Sequence, residues 1–116
     1  MEIIVNKQKI SLRFSYSLIR ALAKKWQLKN VETVVNKIMT VFAAAEEDVF
    51  SAIDTVTEIV IEAAKLTESS VNENDVADLL FADPQVMLNV ITEFVNSMPQ
   101  VSADDVENLK KKVVIK

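Results

Sequence analysis

The chain contains no glycine among its 116 residues. At an average usage of about 7%, a chain of this length would hold roughly eight glycines. Their absence excludes a Gly-rich phosphate loop, a dinucleotide-binding fingerprint and any turn that depends on glycine. Helix interiors avoid glycine, so the same absence favours a mostly helical fold.

Cysteine and histidine are absent as well. A disulfide framework is therefore impossible, and a zinc site lacks its usual ligands. The commonest general base, which is also the usual partner of a nucleophilic serine, is missing too. We predict a protein that is no enzyme, with no catalytic residues, no metal, no cofactor and no small-molecule substrate.

The formal net charge is −4, and acidic and basic residues are spread along the chain with one late basic cluster, Lys110–Lys112. A nucleic-acid-binding protein usually has a basic face, so we expect no nucleic-acid partner. No apolar run approaches the roughly 20 residues that a membrane span needs. The N-terminus lacks the regions of a signal peptide. We expect a soluble, cytoplasmic protein without a membrane partner.

The first 14 residues alternate apolar and polar side chains with a period of two, which is typical of strands. The apolar members are Ile3, Val5, Ile10, Leu12 and Phe14. Asn6 opens the polar turn 6–9, and asparagine tolerates a left-handed backbone better than other non-glycine residues. The pattern predicts a β-hairpin over residues 1–14, packed on helices because a lone hairpin is marginal.

From Ser15 onward the apolar spacing becomes that of amphipathic helices. Before residue 83, the helix N-termini are predicted at Ser15 or Ser17, Asn30, Glu46–Asp48, and Asn72 or Asn74, residues that cap or stabilise helix starts. The predicted stripe of the second helix is Val31, Val34, Val35, Ile38, Val41 and Phe42. That of the third is Val49, Ile53, Val56, Val60 and Ala63, widened by Phe50, Ile59 and Ala64. That of the fourth is Val76, Leu79 and Leu80.

Asp83-Pro84 predicts a further helix start, because aspartate is a good N-cap and proline fits the first helical position. This helix is expected to run from Pro84 to about Met98. The fold class predicted is α+β and mostly α, with an N-terminal β-hairpin packed on a bundle of about five helices. We expect one domain over residues 1–116, made of the hairpin (1–14), a helical body (15–99) and a C-terminal helix or tail (100–116).

Two oxygen-rich stretches, Glu46–Asp48 and residues 72–78, are candidates for metal binding or acid–base chemistry. A calcium loop needs glycine at its sharp turn and a bidentate glutamate at a fixed later position, and neither is present in 72–78. The acidic triplet fits a helix N-terminus stabilised by negative charge. We therefore predict that both stretches start helices.

The predicted helix over 84–98 carries more apolar side chains than one buried stripe needs. A helix that is apolar all round is either central in the domain or covered by something else, and the predicted helix after Asp48 competes for the same interior. Two alternatives stay open: pure core packing, or presentation of apolar surface to a partner or another copy. The partner-binding candidates are Met87, Val90, Ile91, Phe94, Val95 and Met98. Trp26 is a further candidate, because tryptophan is enriched at interface hot spots, with core packing as its alternative.

The hairpin, the stretch from Phe14 to Trp26 and the stretch 79–94 ("LLFADPQVMLNVITEF") together resemble the small tail assembly chaperones of long-tailed bacteriophages and prophages. The resemblance covers about residues 1–99. The chain departs from the family pattern at Lys7, where a hairpin glycine is often found, and at Asn30. Longer members carry an extra C-terminal region made by frameshifting, so this chain would correspond to a short form.

The resemblance implies a non-enzymatic role in tail morphogenesis. Such proteins bind the long, helical tape measure protein in the bacterial cytoplasm, keep its apolar segments soluble and are shed later. Helix-in-groove contact would be the binding mode, and adaptable methionines such as Met39 suit it. Self-association into homo-oligomers stays open.

Two other hypotheses belong to different functional classes. The alternative is a structural subunit of a phage tail or related injection machine that stays in the particle, where the hairpin could add a strand to a neighbour's sheet. A small carboxylate hydrolase would need two acidic side chains converging in a concave pocket.

Overall fold

The computed structural model describes residues 1–97. Its elements in chain order are β1 (Glu2–Val5), β2 (Gln8–Ser11), α1 (Tyr16–Trp26), α2 (Val31–Ala43), α3 (Val49–Lys65), α4 (Glu73–Ala82) and α5 (Pro84–Asn96). The predicted fold class is confirmed: the protein is α+β and mostly α, with an N-terminal hairpin followed by helices. The predicted C-terminal helix or tail over 100–116 lies outside the described residues.

The hairpin closes through a two-residue turn. Ile3 pairs with Ile10 and Val5 with Gln8 in an antiparallel register. Asn6 and Lys7 therefore form the turn, with φ angles of 50° and 66°. Two successive left-handed residues define a type I′ turn, whose twist matches that of the strands. Asn6 takes the left-handed conformation as predicted, and Lys7 occupies the position that glycine usually fills.

The hairpin is anchored to the C-terminal end of α3. Its apolar face is buried, through Ile3, Val5, Ile10 and Leu12. The backbone N–H of Arg13 donates to the carbonyl of Ala63 over 3.3 Å. The Thr67 hydroxyl donates to the carbonyl of Ser11 over 2.8 Å. These contacts supply the support that an isolated two-stranded hairpin lacks.

Helix α3 is the central helix of the described chain, because α1, α2, α4, α5 and β2 all pack against it. Its buried residues are Ala52, Ile53, Thr55, Val56, Thr57, Ile59, Val60, Ala63 and Ala64. The predicted stripe is confirmed from Ile53 onward and wrong for Val49 and Phe50. These two residues are exposed, since burial of α3 begins only at Ala52.

Side-chain oxygens cap four of the five described helices. Asn30, Asp48, Asn72 and Asp83 each accept a backbone N–H hydrogen bond at the start of α2, α3, α4 and α5, over 2.8–3.2 Å. These starts agree with the sequence prediction. Ser15 occupies the N-cap position of α1 but makes no capping bond, and its buried hydroxyl has no hydrogen-bond partner.

Candidate functional site

The predicted partner-binding face of α5 lies inside the protein. Met87, Val90, Ile91, Phe94 and Val95 are all at most 8% exposed. Their spacing of i, i+3, i+4, i+7 and i+8 is that of an ordinary single buried stripe. The expectation of an exposed face built from these residues is therefore wrong, and the core-packing alternative describes them. Met98 lies outside the described residues.

Two packing contacts explain why α5 needs no partner to cover this stripe. The helix lies against α3 and α4. The ring of Phe94 meets the ring of Phe14 edge to face, with centroids 6.4 Å apart and an interplanar angle of 82°. Gln85, Asn89 and Glu93 are exposed on the outer side. The helix is thus amphipathic, and the core of this chain has room for the buried faces of both α3 and α5.

Trp26 is half-buried at the end of α1, and its polar and aromatic groups are engaged within the chain. Its indole N–H donates a hydrogen bond to the carboxylate of Glu58 on α3. The Lys37 ammonium from α2 lies 4.9 Å from the ring centroid, within cation–π distance. Trp26 therefore ties three helices together, which is the packing alternative considered for it.

The exposed apolar surface lies elsewhere in the described chain. Phe50 near the start of α3 is 74% exposed, and Phe81 near the end of α4 is 70% exposed. The other large exposed apolar side chains of residues 1–97 are Ile4, Tyr16, Val49 and Leu88. Sequence reasoning missed this set. The exposure of Phe81 could have been predicted in part, because Phe81 follows the buried Leu80 and successive residues of a helix point about 100° apart.

Five residues, 44–48, join α2 to α3 in a tight turn. The carbonyl of Ala44 accepts hydrogen bonds from the N–H groups of Glu47 over 3.0 Å and Asp48 over 2.9 Å. The turn joins the end of α2, where Met39 and Phe42 are half-buried and pack against the core, to the exposed start of α3. We call this region the α2–α3 corner; its apolar residues are Met39, Phe42, Val49 and Phe50, and its acidic residues are Glu46, Glu47 and Asp48.

The three acidic residues of the corner have different surroundings. Asp48 caps α3, and hydrogen bonds from the Ser51 hydroxyl and then the Ser51 backbone N–H lower the pKa of its carboxyl. Glu46 and Glu47 are exposed to solvent. The predicted stabilisation of a helix start by negative charge is confirmed for Asp48, and two carboxylates remain on the surface beside Val49 and Phe50.

Charge is segregated along residues 1–97, which corrects the interpretation that acidic and basic residues are spread along the chain with only one late basic cluster. Residues 1–37 contain eight basic and two acidic residues. Residues 38–97 contain twelve acidic residues and one basic residue, Lys65. The hairpin, α1 and the first half of α2 therefore carry the positive charge. The corner and the helices α3 to α5 carry the negative charge.

The acidic side chains of the described part do not assemble into a cation site. Among residues 1–97 no group of three or more carboxylates could hold a metal ion. In the stretch 72–78, Asn72 accepts hydrogen bonds from the N–H groups of Asn74 and Asp75, so its predicted capping role is confirmed. Within the same residues, every helix falls short of the length and apolar character needed to cross a bilayer.

Comparison with known proteins assigns no family to the chain. No family model, no curated protein and no solved structure matches it. The resemblance of residues 1–99 to tail assembly chaperones stays a prediction, and so does the expectation that the chain is no enzyme.

Proposed function

We propose that this protein is a tail-assembly-chaperone-like factor that binds apolar helical segments of a tape measure protein during tail morphogenesis in a bacterial cell. The observation that carries the proposal is the exposure of Phe50 and Phe81, 74% and 70%, on a chain whose core is already filled by other side chains. The sequence resemblance supplies the identity of the client. The surface supplies the means of holding it.

A phenylalanine that is exposed does not contribute the free energy of side-chain burial to the stability of the fold. Burial of a phenylalanine side chain is worth about 1.5–3 kcal/mol relative to leaving it in water. Phe50 and Phe81 do not provide this to the monomer, whereas Phe94 on α5 does. A partner that covered these two rings would gain that stabilisation on binding.

The distribution of these residues suits reversible holding. The exposed apolar side chains of residues 1–97 lie on the hairpin, α1, α3, α4 and α5. A client that touches more than one of these elements would meet several modest apolar contacts. Such contacts give affinities that still permit release, which a chaperone shed before completion of the tail requires.

A co-expression experiment tests this function. A tape measure protein is expressed alone, with the wild-type chain, and with a Phe50→Ser/Phe81→Ser variant. We expect the wild type to keep the client in the soluble fraction. With the variant, most of the client should be found in the insoluble fraction. Client solubility that is the same in all three cultures would contradict the proposal.

Mass spectrometry of mature particles separates the proposal from the structural-subunit alternative. A chaperone that is released is absent from purified particles. A subunit that remains in the tail would be present in many copies, and that result would favour the alternative.

A further inference from the structure

We propose that the α2–α3 corner binds an amphipathic helix whose apolar face is flanked by lysine and arginine. This inference rests on the proposed function and deepens it, because it assigns the client a charge and a place on the molecule. The chemistry of the corner carries it: exposed apolar side chains directly beside surface carboxylates.

The apolar part of the corner comes from the two helix ends that the 44–48 turn joins. Met39 and Phe42 lie on the last turns of α2, and Val49 and Phe50 form the first turn of α3. The tight 44–48 turn holds these two helix ends together through the Ala44 carbonyl. Val49 and Phe50 are the exposed members of this set, and an exposed apolar pair at a helix start can receive the apolar face of another helix, which is the usual mode of helix recognition.

The charged part of the corner selects the flanks of that helix. Glu46 and Glu47 are exposed and Asp48 is held ionised by its bonds to Ser51. No lysine or arginine occurs from residue 38 to residue 64. The nearest preceding cation in the sequence, Lys37, lies over the ring of Trp26. The carboxylates of the corner thus lack a compensating charge on the same segment, and complementary charge favours a basic partner.

The same charges argue against other ligands for this surface. An anionic membrane or a nucleic acid would be repelled by the three carboxylates. A second copy of the chain could offer the basic residues of its hairpin and α1. Self-association is therefore a distinct outcome of the test.

Binding of two labelled peptides to the full chain tests the inference. Both are 18-residue helices with the same leucine face; one is flanked by lysine and the other by glutamate. We expect the basic peptide to bind at least about tenfold more tightly, and this difference in affinity should become smaller as the salt concentration rises.

Two variants probe the corner: Phe50→Ala for its apolar part and Glu46→Lys/Glu47→Lys for its charge. Asp48 is left intact because it caps α3.

Matched controls lie outside the corner. Gln85→Ala truncates an exposed polar side chain on the outer side of α5, and Glu68→Lys/Glu73→Lys reverses two exposed carboxylates of the same acidic half. We expect Phe50→Ala to weaken both peptides by about five- to tenfold. The charge reversal at 46 and 47 should abolish the preference for the basic peptide. The control variants should retain wild-type affinities.

Three results would overturn the inference. The first is equal affinity for the two peptides. The second is a tape measure segment that binds the wild type but is unaffected by the corner variants; in that case the proposed function stands and the site is wrong. The third is self-association in sedimentation that Phe50→Ala removes, which would assign the corner to a second copy. If no tape measure segment binds the wild type at all, the proposed function itself fails.

Discussion

The indole N–H of Trp26, the last residue of α1, donates a hydrogen bond to the carboxylate of Glu58 in the middle of α3. On the next turn of α3, the Glu62 carboxylate lies 3.7 Å from the Lys25 ammonium. Two adjacent residues of α1 are thus fixed to two adjacent turns of the central helix. This pairing joins the C-terminal end of α1 to the central helix.

Replacing Trp26 with phenylalanine should measure that docking. The variant keeps an aromatic ring but removes the donor, and we expect the free energy of unfolding to fall by about 1–2 kcal/mol. Glu58→Gln keeps an acceptor and should cost less. Urea denaturation checks both. A Trp26→Phe variant as stable as the wild type would mean that the hydrogen bond contributes nothing net.

The turn of the hairpin contains a conformational cost that glycine would remove. Lys7 has a φ of 66°, a region that a side chain with a Cβ atom enters at a cost of about 1–2 kcal/mol. Lys7→Gly should raise the free energy of unfolding by about 1 kcal/mol, after the greater entropy of the unfolded glycine chain is subtracted. The matched control is Lys9→Gly within β2, which should be destabilising.

The two phenylalanines Phe94 and Phe50 should respond oppositely to truncation. Phe94→Ala leaves a cavity in the core and should lower the free energy of unfolding by about 3–5 kcal/mol. Phe50→Ala should change it by less than about 0.5 kcal/mol, since the side chain is largely in water. Chemical denaturation of both variants provides the comparison. A large loss for Phe50→Ala would show that this residue belongs to the core and not to a binding surface.

The cap at the start of α3 should make stability depend on pH in the acid range. The pKa of the Asp48 carboxyl lies below its ordinary value of 3.8 because the Ser51 hydroxyl and N–H donate to the carboxylate. A lowered folded-state pKa means that the ionised form stabilises the fold. That contribution is complete above the unfolded pKa and is lost as the pH falls through the folded pKa.

Asp48→Asn isolates this effect, because asparagine caps a helix equally well but does not titrate. We expect the variant to match the wild type near pH 7 and to lose less stability between pH 5 and pH 3. The free energy of unfolding of both proteins, measured across that range, is the check. Parallel pH profiles would assign the acid sensitivity to other carboxylates.

The sequence contained the signals for where each helix starts. It did not contain the signals for which turns of a helix are buried in the folded protein. Asn30, Asn72 and Asp83 are recognisable as caps because they precede apolar helical spacing, and they cap as expected. Phe50 shares the helical spacing of Ile53 and was therefore assigned to the interior. Only the tertiary packing shows that burial of α3 starts at Ala52.

The misreading of α5 has a different origin. Val86, Met87 and Leu88 are adjacent in sequence and suggest an all-round apolar helix. On the helix surface they point in directions 100° apart, so Met87 lies in the buried stripe, Val86 is half-buried at its edge and Leu88 is exposed. Counting apolar residues overstated the apolar surface. Their angular positions, with Gln85, Asn89 and Glu93 opposite, would have predicted the buried face.

The charge segregation was present in the sequence and required only counting by segment. Its meaning depends on the fold, because the 44–48 turn brings Glu46 and Glu47 beside Phe50 at the surface. Neither the exposure of Phe50 nor this juxtaposition follows from local propensity.

The measurement that bears most directly on the holding of a client is the affinity of one tape measure segment for the wild type and for Phe50→Ser/Phe81→Ser, determined by calorimetry. Circular dichroism first verifies that both proteins are equally helical. If these exposed rings hold the client, the variant should bind at least about tenfold more weakly. Equal affinity of the two proteins for the segment, at equal helicity, would contradict the account.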